Sequence, residues 1–400
     1  MIAETVKRSS KRTNQDHRLE ASLPSKPGSQ PFNHFIRSGR KITRCRLIFL
    51  LLLALGGDLS AQGATVRVAF NATDCTANIQ AALNDPTADT IIIPYNASNW
   101  ITRPLFLSRN NVTLKLESGV ALVAKNGGFP GSGDCLLSVQ GSTNILITGY
   151  GATIRMLNGT DSAYTTSEHR HGIALNGVLG VVIEGVVITK AGGDGIYVSQ
   201  GSNRTYSGGV TIQNCVLDDN RRLGIGVISA QDFVLQHSVL SNNGVTSGTD
   251  PMSGIDFEPN TASQRIANCA VRDCSIYGNN GTTYASGIHS YLNNLGSTVP
   301  VSIRVERCHI TSTVGGGDAV ALAGPTSTGP TTTLVMSDCL IEDTRGSGLY
   351  LKSVYANTTV QITNTVLRNT FTDSPAWGGT PIYFGRAGGA VRGVWQCHLH

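Results

Sequence analysis

The chain has 400 residues, of which 14% are charged and 6% aromatic, with 46 glycines and a formal net charge of +5. That positive balance is local: residues 1–61 hold 11 Lys/Arg against 4 Asp/Glu, so the remainder carries 20 (31 − 11) against 22 (26 − 4), near −2. A slightly acidic remainder, with neither a basic stripe nor a base-stacking motif, excludes nucleic acid as a partner.

In chain order, the first predicted element is a secretory signal. The basic stretch Arg37–Arg46 precedes the apolar run Leu47–Leu55, and small residues lead out to Ala61 and Gly63. A positive flank, a short apolar centre and a small-residue exit predict cleavage near Ala61 or Gly63 and a secreted or periplasmic product. The run is too short for a stable membrane span. The chain therefore divides into a basic extension plus signal, 1–63, and one folded domain, 64–400, whose N-terminal cap reaches about residue 110. In that cap Asn78-Ile-Gln-Ala-Ala-Leu83 reads as a short amphipathic helix, followed by a buried strand at Ile91–Ile93. A helix there plugs an end that otherwise exposes apolar interior.

From about residue 140 a repeat with variable spacing takes over. Six segments align on Cys215, Ser238, Cys274, Cys308, Cys339 and Thr365, spaced 23 to 36 residues apart. Two residues after these lie Leu217, Leu240, Ile276, Ile310, Ile341 and Leu367; three before lie Ile212, Leu235, Val271, Val305, Met336 and Ile362. Five after lie Asn220, Asn243, Asn279, Thr313, Thr344 and Thr370. Apolar columns that hold while loops vary predict a solenoid. Period-two alternation of β-branched residues makes its elements strands. A further strand per unit is marked by Gly195-Ile-Tyr-Val198, Gly224-Ile-Gly-Val227, Gly254-Ile-Asp-Phe257, Gly287-Ile-His-Ser290, Ala319-Val-Ala-Leu322, Gly348-Leu-Tyr-Leu351 and Pro381-Ile-Tyr-Phe384. Three strands per coil predict an all-β, single-stranded parallel β-helix, each coil about 4.8 Å from the next. Earlier coils are expected at Val181, Ile183 and Ile188, and at Ile145, Ile147 and Ala152. The Asn column is expected to hydrogen-bond along the axis. The Cys column is expected to be an apolar thiol ladder, with Cys308–Cys339 the first pair to oxidise if any does. No cysteine pair has zinc spacing and no cofactor is implied.

If Ile196, Ile225, Ile255, Ile288, Val320, Leu349 and Ile382 point inward, the next residue in each strand points out: Tyr197, Gly226, Asp256, His289, Ala321, Tyr350 and Tyr383. Two residues further on, Glu258, Tyr291 and Lys352 share the parallel column. Asp256 and Glu258 should have Cα atoms about 6.7 Å apart, a spacing suited to carboxyls flanking a glycosidic bond. Asp194 is expected two coils from Asp256, roughly 10 Å away, as a third carboxylate. The candidate catalytic set is therefore Asp256, Glu258, Asp194 and His289. Arg221 and Arg222 suit an acidic sugar, because guanidinium binds carboxylates bidentately. Tyr197, Tyr291, Tyr350 and Lys352 complete the candidate binding set. Asp318, in Gly-Gly-Gly-Asp-Ala, reads as a structural turn residue.

Over residues 65–395 the chain resembles the pectate-lyase-like superfamily of right-handed β-helix proteins. The resemblance rests on Asp74-Cys-Thr-Ala-Asn-Ile-Gln-Ala-Ala-Leu83, Ile91-Ile-Ile-Pro94, Asn111-Val-Thr-Leu-Lys-Leu116, Asn220-Arg-Arg-Leu-Gly224 and Gly254-Ile-Asp-Phe-Glu-Pro-Asn260. It implies a right-handed helix and action on a polysaccharide or oligosaccharide. The Asn-Thr-Asp and Gly-His-Gly signatures of polygalacturonases are missing, as is the Arg-x-Pro-x-x-Arg of pectate lyases. The expected function is hydrolysis of an extracellular, acidic polysaccharide by carboxylates. Uronate lyase or C5-epimerase chemistry is the first alternative, and a non-catalytic glycan-binding or adhesive solenoid the second.

Overall fold

The computed structural model describes residues 63–399, apart from 246–250, 282–286, 297, 312–313, 316, 373–379 and 387–394. The predicted signal segment and Thr313 lie outside the described residues. The helix Thr76–Asn84 buries Ile79, Ala82 and Leu83, as the cap requires. Among the described residues no helix is long and apolar enough to cross a membrane.

Behind the cap the chain winds into a parallel β-helix with three strand faces. The first is exemplified by Ser207–Gln213, Val234–Gln236, Cys269–Arg272, Val301–Glu306 and Thr332–Ser337. The second includes Val216–Asp218, Val239–Ser241, Ser275–Tyr277 and His309–Thr311. The third is a ten-stranded sheet running from Leu105–Leu107 to Ile382–Arg386. The expected register is observed: Ile212 pairs with Leu235, Leu235 with Val271 and Val271 with Val305. On the second face Leu217, Leu240, Ile276, Ile310, Ile341 and Leu367 stack in turn. One earlier expectation is corrected. Ile188 pairs with Ile154, while Ala152 pairs with Val186. The corner at Gly149–Gly151 holds two more residues than its neighbour, which shifts the frame.

Each corner has its own chemistry. Asn220 Nδ2 donates to Asn243 Oδ1 at 3.0 Å, and Asn243 Nδ2 to Asn279 Oδ1 at 2.8 Å. The same amides also donate to the carbonyls of Ile188, Leu217 and Leu240, satisfying turn groups that no strand ladder reaches. The seven cysteines described (75, 135, 215, 269, 274, 308 and 339) are buried free thiols, so Cys308 and Cys339 are not bridged.

The corner between the first and second faces needs a left-handed residue. Asn214, His237, Asp273, Arg307, Asp338 and Asn364 all occupy it, with φ between 48° and 55°. Asn and Asp adopt this conformation at little cost, whereas a larger side chain is strained there. We expect His237→Asn, at an exposed position, to raise stability by about 0.5–1 kcal/mol, read as a shift in the urea midpoint.

Candidate functional site

The third face places the candidate residues. Its inward column, Ile173, Ile196, Ile225, Ile255, Ile288, Val320, Leu349 and Ile382, stacks as expected. The outward column is therefore Ala174, Tyr197, Gly226, Asp256, His289, Ala321, Tyr350 and Tyr383 in adjacent coils. His289 Nδ1 and Asp256 Oδ1 are hydrogen-bonded at 2.7 Å, and Asp256 Oδ2 is buried without a hydrogen-bond partner.

Asp194 departs from expectation in a way that matters. It precedes the strand Ile196–Ser199, yet its side chain reaches over the next coil. A Cβ added at Gly226 would lie 2.4 Å from Asp194 Oδ2. The missing side chain in the outward column is the space this carboxyl fills. Gly226 pairs with Asp256, so the Asp194 carboxyl stands about one strand spacing (~4.8 Å) from the Asp256 position, half the separation expected. Gly226→Ala should cost about 1–3 kcal/mol through overpacking and displace the carboxyl. Thermal melts would read the first effect and loss of any hydrolytic activity the second.

Arg222 is the hub. Its Nη2 donates to Glu258 Oε2 at 2.7 Å. Its Nη1 lies 3.6 Å from Asp194 Oδ1, and its Nε 3.5 Å from Glu168 Oε2. The first contact is a hydrogen bond; the longer two are ion pairs without one. Glu168 belongs to the 156–170 loop, and the sequence reading did not foresee it here. Arg221, expected to bind substrate alongside its neighbour, is occupied otherwise. Its guanidinium donates to the backbone carbonyls of Ser167, Gly192 and Thr165, tying that loop to the coil.

His171 lies on Tyr197, ring centroids 4.4 Å apart and planes within 8°. Its Nδ1 accepts the Asp194 backbone N–H at 3.0 Å, which assigns the proton of the neutral ring to Nε2. Burial, then the charges of Arg222 and His169, hold its pKa well below the usual imidazole value. Burial also lifts the Asp194 carboxyl to about 7; Asp256, Glu258 and Glu168 add to the rise against the pull of Arg222. Burial and the Asp256 charge raise Glu258 despite Arg222. Burial lowers His289, but the Asp256 carboxylate outweighs it and the net shift is upward. Asp318, raised to about 6 by burial, accepts the Ser347 N–H at 2.7 Å, in keeping with a turn role.

The remaining candidates lie further along the axis. Tyr291 is exposed at the end of Ile288–Tyr291. Tyr350 stacks on Tyr383 with centroids 4.7 Å apart, and Lys352 is exposed one column over. Among the described residues no group of His, Cys, Asp and Glu has the arrangement of a metal site.

Residues 143–328 match the family model described as "Right handed beta helix region". PfbA, a surface adhesin of Streptococcus pneumoniae, superposes with a TM-score of 0.57 at 12% identity, over 77% of this chain and 79% of PfbA. The family 28 exopolygalacturonase of Yersinia enterocolitica gives 0.47 at 13% identity, over 85% and 79%. Pectate lyase Pel9A gives 0.48 at 12% identity, over 77% and 71%. A 99-residue stretch is 32% identical to protein YclG of Bacillus subtilis strain 168, covering 24% of this chain and 17% of YclG. The chain has the right-handed parallel β-helix fold, which it shares with the adhesin PfbA. No subfamily is assigned.

Proposed function

We propose that the chain is a secreted carbohydrate-active enzyme that hydrolyses glycosidic bonds of an extracellular polysaccharide at the third face. The observation that carries this reading is the pairing of a carboxyl raised to about 7, Asp194, with Asp256 in the next coil. Glycoside hydrolysis needs one carboxyl protonated at working pH to release the leaving oxygen, and a second, ionised carboxylate opposite it. Asp194 takes the acid role in place of Asp256 or Glu258, and Asp256 the opposing role. Glu258 and Arg222 form the outer layer, which must part for a sugar to reach both carboxyls. His289 orients Asp256. His171 and Tyr197 offer a flat platform beside Asp194, and Tyr291, Tyr350 and Lys352 extend the track. Arg221 acts by holding the loop that brings Glu168.

The burial of Asp194 and Asp256, both 0% exposed, favours a second reading: a non-catalytic glycan-binding solenoid whose buried carboxyls take no part in chemistry. Incubation with a panel of polysaccharides separates the two. New reducing ends without an ultraviolet-absorbing unsaturated uronate support hydrolysis, and both together indicate a lyase. Binding with no product, unchanged in Asp256→Asn and Glu258→Gln, would sink the enzymatic reading.

A further inference from the structure

Toward the N-terminal end of the third face lies a hollow of about 790 Å³ with a different character from the charged cluster. Ser108, Gln140 and Asn176 stand in one outward column across three coils, and Gln200 and Asn203 close the side. The residues of its wall carry amides, hydroxyls or glycine backbone, and none of those described there is charged or aromatic. The nearby cation, Arg204, is committed: its Nη1 donates to the carbonyls of Gly177 at 2.7 Å and Gly141 at 3.3 Å. By contrast, the side-chain amides of Gln140, Asn176, Gln200 and Asn203 make no hydrogen bond to any described residue.

We infer that this hollow is a binding site for an uncharged sugar unit, remote from the cleavage point. An amide offers both donors and acceptors, which is what a ring hydroxyl, itself donor and acceptor, requires. A uronate or sulfate unit needs a cation or a cluster of backbone donors, which this wall does not offer. Continuity supplies the link to the reacting groups. A second hollow of about 230 Å³ shares Asn176 and is lined by His169, His171, Ala174 and Tyr197; His171 Nδ1 in turn accepts the Asp194 backbone N–H. The same column continues from Asn176 through Ser199 toward Glu258, about three coils or ~14 Å on. The ligand is then an oligosaccharide lying along the axis, neutral at its N-terminal-side units even where the unit at Arg222 is acidic. This inference rests on the glycan reading of the third face, though not on hydrolysis itself.

The test is calorimetric titration of the full chain. One arm uses short gluco-, xylo-, manno- and galacto-oligosaccharides, the other oligogalacturonate and oligomannuronate. At least one neutral series should bind the wild type and bind about tenfold more weakly to Gln140→Ala and to Asn203→Ala, both exposed positions. Binding of uronates alone, neutral binding indifferent to both substitutions, or no binding at all would overturn the inference. Neutral binding that maps to Gln140 and Asn203, with no polysaccharide cleaved, leaves the hollow standing and removes hydrolysis. Cleavage whose KM ignores both substitutions does the reverse.

Discussion

Arg222→Met should lose about 3–5 kcal/mol of stability at neutral pH, because it leaves Glu258, Asp194 and Glu168 without the one guanidinium they share. The guanidinium is itself almost wholly buried and held more firmly charged by these carboxylates, so the loss is of a desolvated network and not of a surface pair. The deficit should shrink on acidification. Without Arg222 the carboxyls would titrate still higher in the folded state than their already raised values for Asp194 and Glu258. A raised carboxyl penalises folding in full above its folded pKa, and the penalty shrinks as pH falls below that value, to vanish below the unfolded pKa. Urea melts of both proteins at pH 5 and pH 8 check this. A deficit that stays constant with pH would mean that lost packing, not lost charge, sets the cost.

Asp194→Asn should separate stability from function. The native carboxyl titrates near 7 against 3.8 ordinarily, so its ionisation costs the fold stability progressively from about pH 4 to about pH 7. Asn carries no charge and escapes that cost. We expect the variant to be more stable than the wild type at pH 7–8 by up to about 4 kcal/mol, with the advantage vanishing below pH 4. Loss of the acid should meanwhile reduce hydrolysis by about 10²–10⁴-fold. A purely structural Asp194 would give the stability gain and no change in any activity found. His171 works in the opposite direction. Its depressed pKa means that the fold resists its protonation, so stability is also lost as pH falls below about 6.5.

How much of this was legible in the sequence follows from what strand periodicity can carry. A period of two fixes which face a side chain leaves from, and parallel stacking fixes its neighbours. Ile196 to Ile382 and the outward column through Asp256 and His289 were therefore readable to the residue. Periodicity does not say how far a side chain reaches from a bend. Asp194 sits before its strand, and only the hole at Gly226 reveals that its carboxyl crosses to the next coil. The signal was present as a glycine in a column otherwise filled by Tyr197, Asp256 and His289. Loops were the second blind spot. Glu168 and the opposite fates of Arg221 and Arg222 depend on where the 156–170 loop folds back, and no repeat constrains it. The amide hollow was missed because Gln200 and Asn203 belong to a turn and join Ser108, Gln140 and Asn176 only in space. The two-residue excess at Gly149–Gly151, which moved Ile154 into the place expected for Ala152, shows the same limit at a corner.

The most direct test of Asp194 as the acid is the pH–rate profile of reducing-end release, wild type beside Asp194→Asn, on whichever polysaccharide the panel identifies. The wild type should lose activity as pH rises through about 7, where Asp194 gives up its proton, and the variant should retain only a residual rate with no limb there. A variant with the wild-type rate and the same alkaline limb would contradict the assignment.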